Sequence, residues 1–510
     1  MSKILLGQSY FLRFDAKLWA AQQPYPPLGT MIAASYLRQL GHEVALFDAM
    51  LAESEAEWAA LLATHRPDYA ILYEDNFNYL SKMCLLNMRQ AAFTMLALAR
   101  EAGCVTIVCG SDATDRAADY LAAGADHVLL GEGELTLAEL LRTLEGDGPA
   151  ALAAIAGLAW WPEGADRPVH NPRRPVLRQI DDLPFPAWDL IDVEKYRRVW
   201  QANHGYFSMN MVTTRGCPFH CNWCAKPIWG QRYHVRSPAN VAEELEWLQR
   251  TYRPDHIWFA DDIMGLKPGW WAEFAAEVAR RGIRTPFKCL SRADLIVRDA
   301  ENVVALAEAG CDIIWLGAES GSQRILDAME KGTTTDQIRE AAARLHEAGV
   351  KVGFFLQFGY PGETRAEIEQ TLQLVRDCQP DDVGMSVSYP LPGTRFYENV
   401  KAQLGQKQNW TDSADLDMLY EGPFSTAFYR QLHVVLHKEF RARKGWRRLR
   451  AGQQPAPLRE VLAIFYRLAT LPAARWRLNK LARQSSSSLA AAPHMSLRDA
   501  ATPSPQSSDL

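Results

Sequence analysis

Over the first 145 residues, short apolar runs alternate with longer segments whose apolar positions recur at helical spacing. "KILLGQSY", "HEVALFDAM", "DYAILYED", "VTIVCGSD" and "DHVLLGEGE" read as strands. Between them, "PLGTMIAASYLRQLG", "SEAEWAALLATHR", "LLNMRQAAFTMLALAREAG" and "TDRAADYLAAG" read as helices, and Gly41, Gly103 and Gly124 stand where a left-handed C-cap stops a helix. Strands and helices alternating at this length predict a doubly wound parallel sheet, which binds ligands at the carboxyl ends of its strands.

The pattern breaks at 150–205, where "WWPEGADRPVHNPRRP" and "DDLPFPAW" are rich in proline and turn residues, as in a linker or cap. It resumes at about 206–208. "SMNMVTTRG", "HIWFADDI", "FKCLSRADL", "DIIWLGAES", "VGFFLQFGYPG" and "VGMSVSYPLPG" read as six strands separated by helices. Six units fall short of the eight of a closed barrel, so the α/β fold expected here is a partial (β/α)6 barrel over 206–398, following an α/β domain at 1–149. Residues 399–483 read as a mostly helical extension, and 484–510, rich in Ser, Pro and Ala, as a disordered tail.

Composition changes this picture little. A chain of 510 residues with 48% hydrophobic and 23% charged positions is ordinary globular protein. Its net charge of −5 gives no general reason to expect nucleic acid. Neither a secretory signal nor a run of eighteen apolar residues is visible, so a cytoplasmic location is expected. Local charge matters more: "KEFRARKGWRRLR" (438–450) sets seven Lys/Arg against one Glu. Together with "REVLAIFYRLATLPAARWRLNKLAR" it suggests either a solvated helical surface or a peripheral contact with a membrane or an anionic, lipid-like substrate.

The chemistry concentrates in "TTRGCPFHCNWC". Cys217, Cys221 and Cys224 follow the first barrel strand at C-x-x-x-C-x-x-C spacing. Three thiolates are an incomplete tetrahedral set. His220 or His234 would complete a structural zinc site, which makes a zinc-stabilised binding scaffold one reading. A 4Fe-4S cluster on three thiolates, with one iron open to an exogenous ligand, is the other. The remaining six cysteines are scattered among apolar neighbours and read as core.

The motif, with Trp223 as the aromatic before the third cysteine, resembles the radical S-adenosylmethionine (SAM) superfamily over roughly 208–395. The resemblance implies a 4Fe-4S cluster whose open iron chelates SAM, and reductive cleavage of SAM to a 5′-deoxyadenosyl radical. By position it implies SAM contacts for Trp223, for Asp261 and Asp262 after the second strand, and for Ser291 and Arg292 after the third. Glu319 and Ser320 after the fourth strand, and Gly359 after the fifth, complete that set. An electron donor such as flavodoxin or ferredoxin follows from the same chemistry. No catalytic residue is singled out.

The N-terminal part, flavodoxin- or Rossmann-like, resembles the cobalamin-binding domain fused ahead of many radical SAM enzymes. That implies cobalamin contacts from Pro27, Gly29, Gly110, Gly131, Glu132 and Gly133. No D-x-H-x-x-G is present, His42 reads as a strand-start residue, and Asp112 stands where related domains often carry Gly-Gly-Pro-His. The combined resemblance implies a cobalamin-dependent methyltransferase acting on an unactivated carbon of a small-molecule or lipid-like metabolite. A radical SAM cyclase or rearranging oxidoreductase, with or without cobalamin, is the alternative.

Overall fold

The computed structural model describes residues 2–77, 86–147, 149–404, 416–450 and 457–489. Five parallel strands, β1 (Lys3–Gly7), β2 (Glu43–Phe47), β3 (Tyr69–Tyr73), β4 (Val105–Cys109) and β5 (His127–Leu129), form the N-terminal sheet in the order β2-β1-β3-β4-β5. Helices cover both faces, and the strands are buried throughout β3 and nearly so in β1 and β4, as a sheet covered on both sides requires. The three glycines expected at helix ends adopt φ of +91° (Gly41), +81° (Gly103) and +111° (Gly124).

Part of the segment read as a linker extends this sheet. β6 (Leu158–Trp160) and β7 (Val169–His170) add on antiparallel beyond β5. With three and two residues, they lack the length over which alternation can be recognised.

The second sheet is parallel throughout, ordered β15-β14-β13-β12-β11-β8. Its strands are β8 (Ser208–Met211), β11 (His256–Phe259), β12 (Phe287–Ser291), β13 (Cys311–Glu319), β14 (Lys351–Phe358) and β15 (Asp382–Val387). This is the expected half-barrel, open between β8 and β15. The N-terminal domain lies along the open β8 edge: Asn210 Nδ2 donates to Pro26 O at 2.9 Å, and the Tyr25 and Ser208 hydroxyls are 2.9 Å apart.

Alternation within the strands separates two faces. Ile257, Phe259, Cys289, Ile314, Leu316, Val352 and Phe354 are fully buried toward the helices, where Phe259 meets Phe274 edge-on at 6.0 Å. The opposite face lines the half-barrel lumen and carries Trp258, Lys288, Trp315 and Phe355.

After the barrel, Thr426–Arg450 and Leu458–Leu489 form two long helices packed on one another. The second runs past 484, the expected start of the tail; residues 490–510 lie outside those described. No helix among the described residues is long and apolar enough to cross a membrane.

Candidate functional site

The three cysteines lie on a loop with a narrow neck. β9 (Thr214–Arg215) pairs antiparallel with β10 (His234–Val235), so residues 216–233 leave and return at one point. Gly216 makes the neck possible. It adopts φ +78°, and a Cβ there would stand 2.4 Å from the Arg232 carbonyl oxygen.

Cys217, Cys221 and Cys224 are unpaired and partly exposed. Burial pushes the Cys217 thiol up and the Cys224 thiol to about 12; neighbouring sulfurs add to both shifts while Lys226 opposes. Bare thiolates are therefore disfavoured here, and a cationic centre bound between them would reverse the balance. Among the described residues no three His, Cys, Asp or Glu side chains are closed around one point. His220 is exposed on the loop and His234 belongs to the neck strand β10. Three thiols on one such loop suit a cluster with an open position.

Several contacts hold this loop. Asn222 donates from its backbone N to Met329 O (3.1 Å) and from Nδ2 to Ala328 O (2.8 Å). It accepts from the Tyr360 hydroxyl at Oδ1 (3.0 Å) and from the Phe396 backbone N at its carbonyl (3.0 Å). Arg292 places its guanidinium 3.6 Å from the Phe219 ring centroid, and Asp294 holds the other side of it at 2.9 Å. Trp223 packs against the barrel core.

The remaining SAM candidates divide by what already engages them. Asp261 is buried and accepts from Thr213 N (2.7 Å), Thr213 Oγ1 (2.6 Å) and Thr214 N (2.8 Å). Burial nevertheless pushes its carboxyl up to about 6. It thus braces the chain leading into the cysteine loop, whereas Asp262 is exposed and raises the Cys217 and Cys224 thiols. Ser291 donates to Met264 O at 3.0 Å, and Ser320 is buried with its hydroxyl 3.2 Å from that of Thr371. Both hydroxyls serve the fold.

Glu319 is strained as well as buried. It ends β13 at φ +54°, beside a register irregularity with β14, and accepts from Lys331 Nζ at 2.8 Å. Burial works against the Lys331 ammonium, but Glu319 and nearby Cys221 outweigh it and raise its pKa. A non-glycine residue held in the left-handed region by a buried ion pair marks a built site.

Gly359, at φ +78°, is enclosed by the C-terminal extension, since a Cβ would meet Met418 and Tyr429 at 3.2 Å. Its N–H donates to Glu363 Oε2 at 2.7 Å, while Glu363 Oε1 is buried without a hydrogen-bond partner among the described residues. Burial pushes the Glu363 carboxyl from 4.5 to about 8. Because the folded value lies above the unfolded one, stability from this group is complete below about 4.5 and lost as pH rises through about 8. Glu363→Gln keeps an acceptor for Gly359 and is expected to flatten that decline, as measured by urea unfolding across the same window.

The candidates of the N-terminal sheet surround its carboxyl end. Pro27 caps the helix Leu28–Gln39, Gly29 N donates to Asp75 Oδ1 at 3.1 Å, and Gly131 N donates to Thr114 Oγ1 at 3.0 Å. The protein's own packing accounts for two of these glycines. A Cβ at Gly110 would stand 2.9 Å from Glu74, and one at Gly133 would stand 2.5 Å from the Cys109 sulfur.

Glu132 has turned to the barrel. It and Glu134 both bind the Arg215 guanidinium, Glu134 at 2.6 Å, and Glu132 also accepts from Leu177 N and, at 3.2 Å, from Trp229 Nε1. All three charged side chains are almost wholly buried, at 4% (Arg215), 7% (Glu132) and 3% (Glu134) exposure. Burial raises both carboxyls, yet Arg215 outweighs it at Glu134 and not at Glu132. Phe77 stacks on Trp229 at 5.0 Å beside the pair. Consequently the carboxyl end of the first sheet faces the cysteine loop of the second. Asp112 is turned away onto Arg89 (2.7 Å) and the Tyr120 hydroxyl (2.9 Å), and His42 lies near Glu145 at 3.8 Å.

Sequence reading did not single out the lumen residues. Trp315 and Phe355 stack at 4.6 Å, and a Cβ at Gly353 would stand 2.4 Å from the Trp315 ring. Lys288 Nζ lies 5.2 Å from the Trp258 ring centroid and 5.3 Å from that of Tyr25. No ion pair of Lys288 occurs among the described residues, and burial lowers its pKa to about 8. The signal was alternation: positions 258, 288, 315 and 355 share a face of their strands.

A model of the radical SAM superfamily matches residues 211–375, the segment from the end of β8 through β14, with the cysteine loop inside it. Residues 211–375 are a radical SAM domain.

The superfamily's domain works with a 4Fe-4S cluster and SAM, and the three-thiol loop suits that pairing. Among curated relatives, an uncharacterized methyltransferase of Pyrococcus horikoshii is 30% identical over 318 residues, covering 62% of this chain and 66% of the relative. An anaerobic magnesium-protoporphyrin IX monomethyl ester cyclase of Cereibacter sphaeroides is 29% identical over 55% of this chain and 45% of its own. The hopanoid C-3 methylase of Methylococcus capsulatus is 28% identical over 74% and 69%. The chain is thus similar to methyltransferase and cyclase relatives and spans from 45% to 69% of their length. In fold, the chain matches OxsB, a cobalamin-dependent SAM radical enzyme solved with aqua-cobalamin, with TM-score 0.73 at 16% identity over 94% of this chain and 72% of that one.

Proposed function

We propose that this radical SAM enzyme is a cobalamin-dependent methyltransferase acting on an unactivated carbon of a largely apolar, lipid-like or small-molecule substrate. The observation that carries the reading is the face-to-face arrangement of the two sheets, whose carboxyl ends meet at the cysteine loop and are joined there through Arg215, Glu132 and Glu134. A ligand held by the first sheet would then lie against the site where SAM is cleaved.

In this reading Cys217, Cys221 and Cys224 hold the cluster. A cluster bound there would supply the electron for SAM cleavage, and cobalamin would supply the methyl group. Trp223, Asp262, Arg292 and Gly359 border the SAM site, and Glu319 with Lys331 sets its polarity. Asp261, Ser291 and Ser320 shape that site from beneath through the hydrogen bonds they make. Pro27, Gly29, Gly110, Gly131 and Gly133 border the cobalamin face. Neither His42 nor Asp112 faces it, which suits a cofactor without a protein imidazole below the cobalt. The substrate enters the lumen against Trp258, Trp315 and Phe355, with the Lys288 ammonium reading an anionic group at its far end. Reduction of the cluster requires a small electron carrier of the flavodoxin or ferredoxin kind.

The cyclase relatives support a second reading, a radical SAM cyclase or rearranging oxidoreductase with or without cobalamin. Corrinoid retention tests the cobalamin dependence of the first reading. Protein produced with hydroxocobalamin and purified without oxygen is expected to retain about one corrinoid per chain beside its iron. Iron-loaded protein that binds no corrinoid would remove the methyltransferase reading in favour of the cyclase.

A further inference from the structure

The proposed reaction assigns no chemistry to the C-terminal helical pair, whose charge is strongly one-sided. From 441 to 484 there are twelve Lys/Arg and one Glu, in a protein of net charge −5. The two helices are tied together by Gln431 Nε2 donating to Ala474 O (3.0 Å), Lys438 Nζ to Thr470 Oγ1 (3.0 Å) and Arg475 to Glu439 (2.5 Å). The inner side of the second helix is thereby used up, with Ile464, Ala474 and Leu478 buried.

Its outer side is apolar and open. Leu458, Leu462, Phe465 and Trp476 are 74%, 59%, 54% and 67% exposed, and with Ala469 and Pro472 they follow the i, i+3, i+4 spacing of a single stripe. Tyr466 flanks the stripe at 65% exposure. Trp446 of the first helix extends it, 6.4 Å from Phe465. Basic groups border the stripe at the exposed indoles: Arg450 lies 5.5 Å from the Trp446 ring and Lys480 lies 5.8 Å from the Trp476 ring. Leaving such a stripe in water costs free energy that a single scattered apolar residue would not.

We propose that this face docks on an anionic lipid bilayer, with the helix Leu458–Leu489 lying in the plane of the interface. Charge selects this occupant. A second copy of the chain would bring the same cationic face against its own, and the repulsion opposes a dimer through it. A nucleic acid would satisfy the arginines but leave the leucines and Phe465 wet. An anionic leaflet takes both, the stripe entering the headgroup boundary while Arg459, Arg477 and Lys480 reach phosphates. The helices do not span the bilayer, because none is long and apolar enough. The inference is independent of which reaction the barrel performs.

The test uses the full-length protein with sonicated vesicles of phosphatidylcholine alone, or with one quarter phosphatidylglycerol. Co-sedimentation is expected to be about tenfold stronger with the anionic vesicles and to weaken as salt rises. The triple variant Leu462→Ser, Phe465→Ser, Trp476→Ser is expected to lose most of that binding with unchanged circular dichroism and cluster content. Because all three side chains are mostly exposed, their removal leaves the inner packing alone. A second variant, Arg459→Gln, Arg477→Gln, Lys480→Gln, should lose the preference for anionic vesicles. Equal binding to neutral vesicles, binding that survives either variant, or a wild-type dimer that the triple variant dissociates would each overturn the proposal.

Discussion

Cys221→Ala is expected to yield a folded protein that reconstitutes with little stable iron and forms 5′-deoxyadenosine only at background level. The loop has only three thiols to offer and no fourth donor in place among the described residues, so losing one leaves two iron corners without protein ligands. The fold should survive because the loop is held by contacts other than Cys221. Asn222 makes four hydrogen bonds to the end of the helix Gln323–Ala328, to Tyr360 and to Phe396, and Arg292 stacks on Phe219. Iron analysis, electron paramagnetic resonance of the reduced protein and nucleoside chromatography check the prediction together. If the variant keeps a full cluster and cleaves SAM, Cys221 does not have the role given to it. Corrinoid retention should be unaffected, since the cobalamin candidates lie in the N-terminal domain and not on the cysteine loop.

The second large effect is expected at Arg215. Arg215→Met should destabilise the protein by about 3–5 kcal/mol, because two carboxylates that shared one cation would be left buried and unpaired. The loss should be pH-dependent in a definite direction. Without Arg215, burial alone raises both carboxyls, so Glu132 and Glu134 take up protons in the folded state at higher pH than when unfolded. The deficit therefore shrinks as pH falls toward the ordinary carboxylate range and grows as pH rises. Combining Arg215→Met with Glu132→Gln and Glu134→Gln should recover much of the stability, a non-additivity that a double-mutant cycle reads directly. Arg215 stands two positions before Cys217 and bonds to Glu132 and Glu134 of the N-terminal domain. The single variant should thus also lower cluster incorporation, whereas the neutralised triple variant should restore it.

The five parallel strands of the first sheet, the six of the half-barrel and their helices were legible because each depends on local periodicity. "HIWFADDI" or "VGFFLQFGYPG" announces a strand with an irregular carboxyl end regardless of what it packs against. The three cysteines were legible because their spacing lies within eight residues of one loop. Asp261, Ser291 and Ser320 show the limit of such reading. Their positions at strand ends were recognisable, but each turned out to hold neighbouring backbone or a neighbouring hydroxyl. A strand-end carboxylate or hydroxyl has the same sequence signature whether it faces a ligand or braces a loop.

What the amino-acid order determined by itself was the alternation that makes the sheets, the cysteine spacing that offers an incomplete ligand set, and the cationic, apolar character of residues 441–484. Tertiary structure alone decided that Glu132 and Glu134 meet Arg215 some 80 residues later, that Glu319, in a left-handed conformation, pairs with Lys331, and that Lys288 sits among Trp258 and Tyr25. The reason is range. Periodicity and turn chemistry act over a few residues, whereas a buried charge finds its partner only after the chain has brought distant segments together and removed the water between them.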